Sequence, residues 1–147
     1  MTEPCIFCRI VAGDAPASFV YRNDLVSAFL DVRPVTPGHT LVITNQHTRL
    51  IGDVPVETRD VLFRVAVRLA DAIRGAKLGA EGIDLLLADG EAARQEIPHA
   101  HLHVIPRFRA DGFSIDAASW RKPPPSRDDL DGHADAIRRR LDHGPRL

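Results

Sequence analysis

Residues 99–105 read His-Ala-His-Leu-His-Val-Ile, with a proline on each side at Pro98 and Pro106. Alternate side chains of a strand share a face and lie roughly 7 Å apart. The pattern therefore predicts a strand over His99–Ile105 that puts His99, His101 and His103 on one face. Ala100, Leu102 and Val104 then point to the opposite, core face. A proline is tolerated at a strand start, and Pro106 is expected to close it. Chance or simple exposure accounts poorly for three alternating imidazoles on an otherwise apolar strand. Two chemistries remain. Imidazole ligates zinc, copper, iron and nickel. Alternatively, one histidine is a covalent nucleophile oriented by its neighbours. About half or more of free histidine is unprotonated near neutral pH, so its nitrogen can attack phosphorus and leave again.

The rest of the chain supplies partners for such a strand. Residues 3–12 suit one or two helical turns. Ala17–Arg22 and Leu25–Asp31 read as strands joined by a tight turn at Asn23-Asp24. Arg33-Pro34-Val35-Thr36-Pro37-Gly38 is a loop, and His39–Thr44 a third strand. From Pro55 to Lys77, Val61, Leu62, Val65, Leu69, Ala72, Ile73 and Ala76 recur at the helical period, with Pro55 at the first helical position and Gly79 and Gly82 beyond the end. Ile83–Ala88 reads as a buried strand and Asp89–Ile97 as a polar loop. Three strands, one helix and two strands point to an α+β fold built on an antiparallel sheet of about five strands, not to alternating βαβ units. Residues 1–108 form the expected domain and 109–147 a C-terminal extension. That extension holds a connector, Trp120–Arg127, with a Pro123–Pro125 run, then a charged helix from Asp128 to Leu141 with Leu130, Ala134, Ile137 and Leu141 on one face. His133 and His143 fall in this tail and are expected to be solvated.

Composition narrows the function classes. The 147 residues are 44% hydrophobic and 27% charged, with a formal net charge of −1. No global field steers the chain toward nucleic acid or a membrane, so an anionic ligand must be drawn by local groups. No apolar run approaches the about 18 residues of a membrane span, and Met1–Cys5 lacks the start of a signal peptide. The expectation is a cytoplasmic protein with no nucleic-acid or membrane partner. The two cysteines are Cys5 and Cys8. Without a secretory context this C-x-x-C pair reads as metal-binding or redox-active, and it opens the chain rather than following a strand as a thioredoxin-like pair does. Such a pair supplies half of a tetrahedral zinc site, and His47 and His99 are the best candidates for the other half. Two free thiols are the alternative.

Histidine at every second position followed by Ile-Pro-Arg resembles the motif of the histidine-triad (HIT) family. Leu30-Asp31-Val32-Arg33-Pro34, Pro37-Gly38-His39-Thr40-Leu41-Val42-Ile43 and His47 follow that family's order, and Cys5-Ile6-Phe7-Cys8-Arg9-Ile10 resembles the opening of its bacterial branch. The resemblance spans about residues 3–108. It implies a nucleotide hydrolase or nucleotidyltransferase that cleaves at the α-phosphorus of dinucleoside polyphosphates or purine nucleotide phosphoramidates. His101 would be the nucleophile, forming a nucleotidyl-histidine intermediate that water resolves. His103 and His39 would line the phosphate site. Asp31 would accept hydrogen bonds from the ribose hydroxyls, with Val32 beside it, although an aspartate there also suits a turn. Gln95 would orient a phosphate oxygen or water, and the backbone of Asp89–Glu96 would cradle phosphate as an anion nest. The resemblance further implies a structural zinc on Cys5, Cys8, His47 and His99, and a homodimer.

Two positions depart from the family pattern. Ala88 stands where many relatives carry asparagine, and Arg94 where they usually carry glycine. Arg94 is expected to favour polyphosphate substrates. The departures keep open a nucleotide-binding or scaffold protein with weak or lost catalysis. A third alternative is an enzyme whose three histidines hold a catalytic ion, which chelation alone would separate from the others.

Overall fold

The computed structural model describes residues 5–115 and 122–144. Trp120, and with it the start of the expected connector, lies outside them. The chain divides into two units at Phe113/Ser114.

In the first unit, α1 (Ile6–Ala12) is followed by β1 (Phe19–Arg22), β2 (Val26–Leu30), β3 (Thr40–Thr44), α2 (Val56–Gly75), β4 (Gly82–Leu86) and β5 (His101–Arg107). The strands form one antiparallel sheet in the order β1-β2-β3-β5-β4. This is the expected five-stranded α+β arrangement, with a long and a short helix. Asn23 builds the first turn: its Oδ1 accepts the N–H groups of Leu25 and Val26, a bond pattern that favours asparagine in turns.

The sheet buries both faces. Val26, Ala28, Val42, Leu102 and Val104 pack with Leu62, Val65, Ala66, Ala70 and Ile73 of α2, the apolar stripe of an amphipathic helix. The opposite face holds Phe29, Leu41 and Ile43 against Phe7 and Ile10 of α1. Leu41 pairs with His103 and Ile43 with His101 across β3 and β5. The two histidines therefore share the α1 face while Leu102 and Val104 face α2, as the period-two reading expects.

Several element ends shift by one or two residues, and three boundary differences bear on the site. β5 starts at His101, not His99, because His99 lies in the approach to the strand, where its N–H bonds the Ile97 carbonyl. The strand also runs through Pro106 to Arg107. Its ladder with β3 ends at Val104, so the missing proline N–H falls where β5 pairs only with β4. β4 ends at Leu86, leaving Ala88 in the loop. Gly38, at φ +88°, packs so closely on Leu78 and Pro106 that a Cβ there would lie 2.8 Å from Leu78 Cδ1. Glycine alone satisfies both demands, and it delivers the chain into β3.

Past β5, Arg107 bonds both carboxylate oxygens of Asp111, one of Asp84 and the Phe113 carbonyl. The guanidinium holds the Asp111 carboxyl well below the usual carboxylate range. In the second unit, α3 (Arg127–Asp142) opens with a capping box between Ser126 and Asp129, worth about 1 kcal/mol. Its stripe is exposed at Leu130, Ile137 and Leu141, and His133 and His143 are exposed. Among the described residues, no helix is long and apolar enough to cross a membrane.

Candidate functional site

The three histidines of residues 99–103 serve two adjoining clusters. His99, fully buried, donates from Nε2 to the Thr44 carbonyl at 2.7 Å. That bond leaves Nδ1 as a lone pair, and Nδ1 lies 3.5 Å from Cys5 Sγ and 3.8 Å from Cys8 Sγ. His47 Nδ1 lies 3.3 Å from Cys8 Sγ. The four ligand atoms are all within 4.8 Å of one another.

These spacings fit a metal. Zn–S near 2.3 Å and Zn–N near 2.0–2.1 Å imply tetrahedral S···N edges of about 3.5 Å. The Thr44 bond is the usual outer partner that fixes a ligating imidazole's tautomer. Burial and the neighbouring Cys5 push the Cys8 thiol up from its ordinary value, a cost that a divalent cation would reverse by favouring the thiolates.

His101 turns away from this cluster. Its Nδ1–H donates to the His99 carbonyl at 2.6 Å, so Nε2 carries the lone pair in the neutral ring. The side chain is 5% exposed. Burial lowers its pKa, partly offset by that bond and by Asp31 and Glu96.

Beside it runs a directed chain of donors. The Val35 N–H donates to His39 Nδ1 at 3.1 Å, so the His39 proton resides on Nε2. His39 Nε2–H then donates to His103 Nδ1 at 2.9 Å, which leaves the His103 proton on Nε2, free for a ligand. The His101 and His103 ring centroids are 4.9 Å apart. Burial, with His101 and His39 adding, lowers His103 to about 4, and burial likewise lowers His39. Both rings are therefore neutral near pH 7.

Asp31, His39 and His103 also fall within 4.8 Å of one another. The Val35 bond works against a metal there. To ligate through Nε2, His39 would have to move its proton to Nδ1, where it would face the Val35 N–H. This disfavours a catalytic ion at the Asp31, His39 and His103 cluster.

Asp31 takes up the turn-forming duty weighed from the sequence and also faces His39. Oδ1 accepts the Arg33 N–H in a local turn, and Oδ2 lies 3.8 Å from His39 Nε2. Val32 is 89% exposed beside it. The loop after β4 is braced internally: Gln95 Oε1 accepts the Gly90 N–H and Gln95 Nε2 donates to the Arg49 carbonyl. In this structure the Gln95 amide therefore shapes the loop. The N–H groups of Gly90, Ala93, Arg94 and Gln95 are likewise used locally. The N–H groups left without a partner among the described residues, those of Asp89, Glu91, Ala92, Glu96 and Ile97, stay open for the expected nest.

Arg94 sits at φ +62°, ψ +38° and is exposed. A non-glycine residue pays roughly 1–2 kcal/mol in this left-handed region, which is the physical reason glycine suits the position. Arg94→Gly is expected to raise Tm by about 2–4 °C once glycine's own entropy cost is subtracted. A thermal melt checks this.

Sequence reasoning missed Phe7, Thr44 and Val35. Phe7 lies edge-to-face against both His99 (5.6 Å between centroids) and His101 (5.2 Å). Val35 acts through its backbone N–H and Thr44 chiefly through its carbonyl, with its hydroxyl 3.2 Å from His99 Nε2; backbone groups carry no residue-type signal.

A family model described as HIT domain matches residues 12–110. A zinc-bound histidine triad family protein from Mycobacterium smegmatis superposes with a TM-score of 0.72 at 42% identity, over 85% of this chain and 86% of that one. A HIT family member from Bacillus subtilis gives 0.81 at 38%, over 95% and 98%. The adenosine 5'-monophosphoramidase of Saccharomyces cerevisiae is 33% identical over 103 residues, 70% of this chain and 62% of that protein.

Proposed function

The chain belongs to the HIT domain family, and from that premise we propose that it is a nucleotide hydrolase working through His101. The observation that carries the reading is the His101 Nδ1–H bond to the His99 carbonyl, which leaves the lone pair of the neutral ring on Nε2. Nε2 attacks the α-phosphorus of a purine nucleotide phosphoramidate or dinucleoside polyphosphate. A P–N bond to His101 forms while the bond to the amine or phosphate leaving group breaks, the leaving group taking the bonding pair and a proton from solvent water. Water then attacks the nucleotidyl-histidine, releasing the nucleoside monophosphate and restoring His101.

His103 Nε2–H, held by His39, donates to a non-bridging phosphate oxygen where charge develops. The Glu96 and Ile97 N–H groups do the same from the loop. Asp31 Oδ2 accepts from a ribose hydroxyl, Val32 offers apolar contact to the base, and Gln95 holds the phosphate loop in shape. Arg94 adds a cation at that loop, which favours a polyphosphate over a phosphoramidate. Arg94→Gly should therefore lower the polyphosphate-to-phosphoramidate ratio of kcat/KM.

Cys5, Cys8, His47 and His99 are the residues that hold a structural zinc. The four-ligand set leaves no open position, so the metal ties α1 to the approach to β5 and takes no part in the transfer. The same reading includes a homodimer, for which the edge strand β4 and the exposed Val56, Phe63 and Val67 of α2 offer surface.

The test is turnover of an adenosine phosphoramidate by protein sedimenting as a dimer, followed across pH. Protonated His103 cannot accept from His39, so protonation should end activity. His101 must likewise be unprotonated to attack, and burial lowers both rings below 6.5, so kcat/KM should hold at pH 6.5 and fall only at lower pH, as the first of the two rings takes up a proton. No turnover, or half-loss already at pH 6.5 with metal content intact, contradicts the reading.

A further inference from the structure

We propose that Phe7 is a positioning residue for His101, and that the segment between Cys5 and Cys8 thereby supplies one wall of the active site as well as metal ligands. The proposal rests on the hydrolase reading for its consequence, but its geometry stands independently. His101 is anchored at one atom, Nδ1, by the His99 carbonyl. A ring held by one hydrogen bond can still pivot about it, and a pivot moves Nε2, the atom at the far side of the ring.

Phe7 blocks that pivot. Its ring meets the His101 ring at 80° with centroids 5.2 Å apart, and meets the His99 ring at 73° and 5.6 Å. Behind it, Phe29 closes the stack at 5.7 Å. Edge-to-face pairs of this kind have preferred geometries that exceed simple area burial in energy. Phe7 is itself 5% exposed, so it has no room to retreat.

Phe7 is also fixed from its own backbone. Cys5 and Cys8, on either side of it, reach His99 Nδ1 at 3.5 and 3.8 Å. One residue, His99, therefore faces the cysteines with its side chain and holds the nucleophile with its carbonyl. The cysteine helix returns to the nucleophile through Phe7. The Cys5–Phe7–His99–His101 set forms a closed mechanical loop in which the His101 ring has one orientation.

The test compares Phe7→Leu and Phe7→Met with Ile10→Ala. Ile10 is buried in the same cluster of α1 and serves as the control for lost packing. Metal content and melting are recorded for each. In the two Phe7 variants kcat should fall about tenfold to a hundredfold with KM within about twofold, since small misplacements of a reacting atom are costly. The 15N pattern of His101 should keep its Nδ1–H, about which the ring pivots, while the Nε2 resonance shifts and broadens. Ile10→Ala should lower Tm while kcat and the His101 pattern stay as in the parent.

Wild-type His101 nitrogen shifts in both Phe7 variants overturn the proposal. So does a wild-type kcat in both, or an Ile10→Ala variant that matches them. Phe7→Met keeps the test decisive if Phe7→Leu fails to fold. If the parent turns over no nucleotide, the hydrolase reading fails, and the nitrogen spectra alone still decide the role of Phe7.

Discussion

His101→Ala is expected to reduce turnover of an adenosine phosphoramidate on the order of 10⁴-fold or more, with nucleotide affinity changed by only a few-fold. A nucleophile is not one contributor among several; without it the two-step route is closed, and the remaining machinery offers only binding and charge stabilisation. Affinity survives because Asp31 and the loop N–H groups belong to other segments, and His103 keeps its own support from His39. His103→Ala should cost less, about 10²- to 10³-fold in kcat, because it removes one donor to the developing charge and leaves the nucleophile in place. The truncation at 101 also strands the His99 carbonyl, a loss of roughly 1–3 kcal/mol in stability. Activity is therefore compared well below the melting temperature of both proteins, by steady-state kinetics beside equilibrium binding of the product nucleotide. Equal losses at 101 and 103 would remove the distinction drawn between nucleophile and donor.

Cys5→Ser is expected to lose the bound metal and lower Tm on the order of 10 °C, while leaving measurable turnover. The four residues come from the start of α1, the loop after β3 and the approach to β5, so a metal on them would join residues 94 apart in sequence. Closing a loop of that length removes about 4–5 kcal/mol of denatured-state entropy by the cross-link argument. At roughly 2–4 °C per kcal/mol for a chain of this size, that accounts for the expected shift. Metal analysis should give about one zinc per parent chain and none in the variant. Chelation should reproduce the thermal shift in the parent and leave Cys5→Ser unmoved. Turnover abolished outright by chelation at a temperature where the chain stays folded would instead favour a catalytic ion.

The period-two histidine pattern was readable because strand geometry admits one arrangement of it: Leu102 and Val104 face α2 and His101 and His103 face α1. The helical period between Val61 and Ile73 likewise left one amphipathic solution. The two clusters were legible as a division of labour because C-x-x-C demands ligands from elsewhere, and His47 and His99 were at hand.

What escaped depends on backbone groups and tertiary contact. His99 precedes the strand because its N–H is committed to the Ile97 carbonyl. Pro106 continues β5 because the neighbour that would need its N–H has already ended. Gln95 is occupied by Gly90 and Arg49, a loop-closing role that a glutamine side chain does not announce. Phe7 reads from sequence as an apolar residue between two ligands, and only the packing of α1 on the sheet brings it to His101. Arg94 carried a signal, a bulky residue at a glycine position, but the left-handed backbone that gives it meaning is visible only in the structure.

The most direct test of the account is mass spectrometry of protein quenched during single turnover of an adenosine phosphoramidate, with fragmentation to locate the adduct. The account predicts an adenylyl group on His101 that forms and decays with the reaction and is absent from His101→Ala. Turnover at full rate with no adduct, or an adduct on His39, His99 or His103, would contradict it.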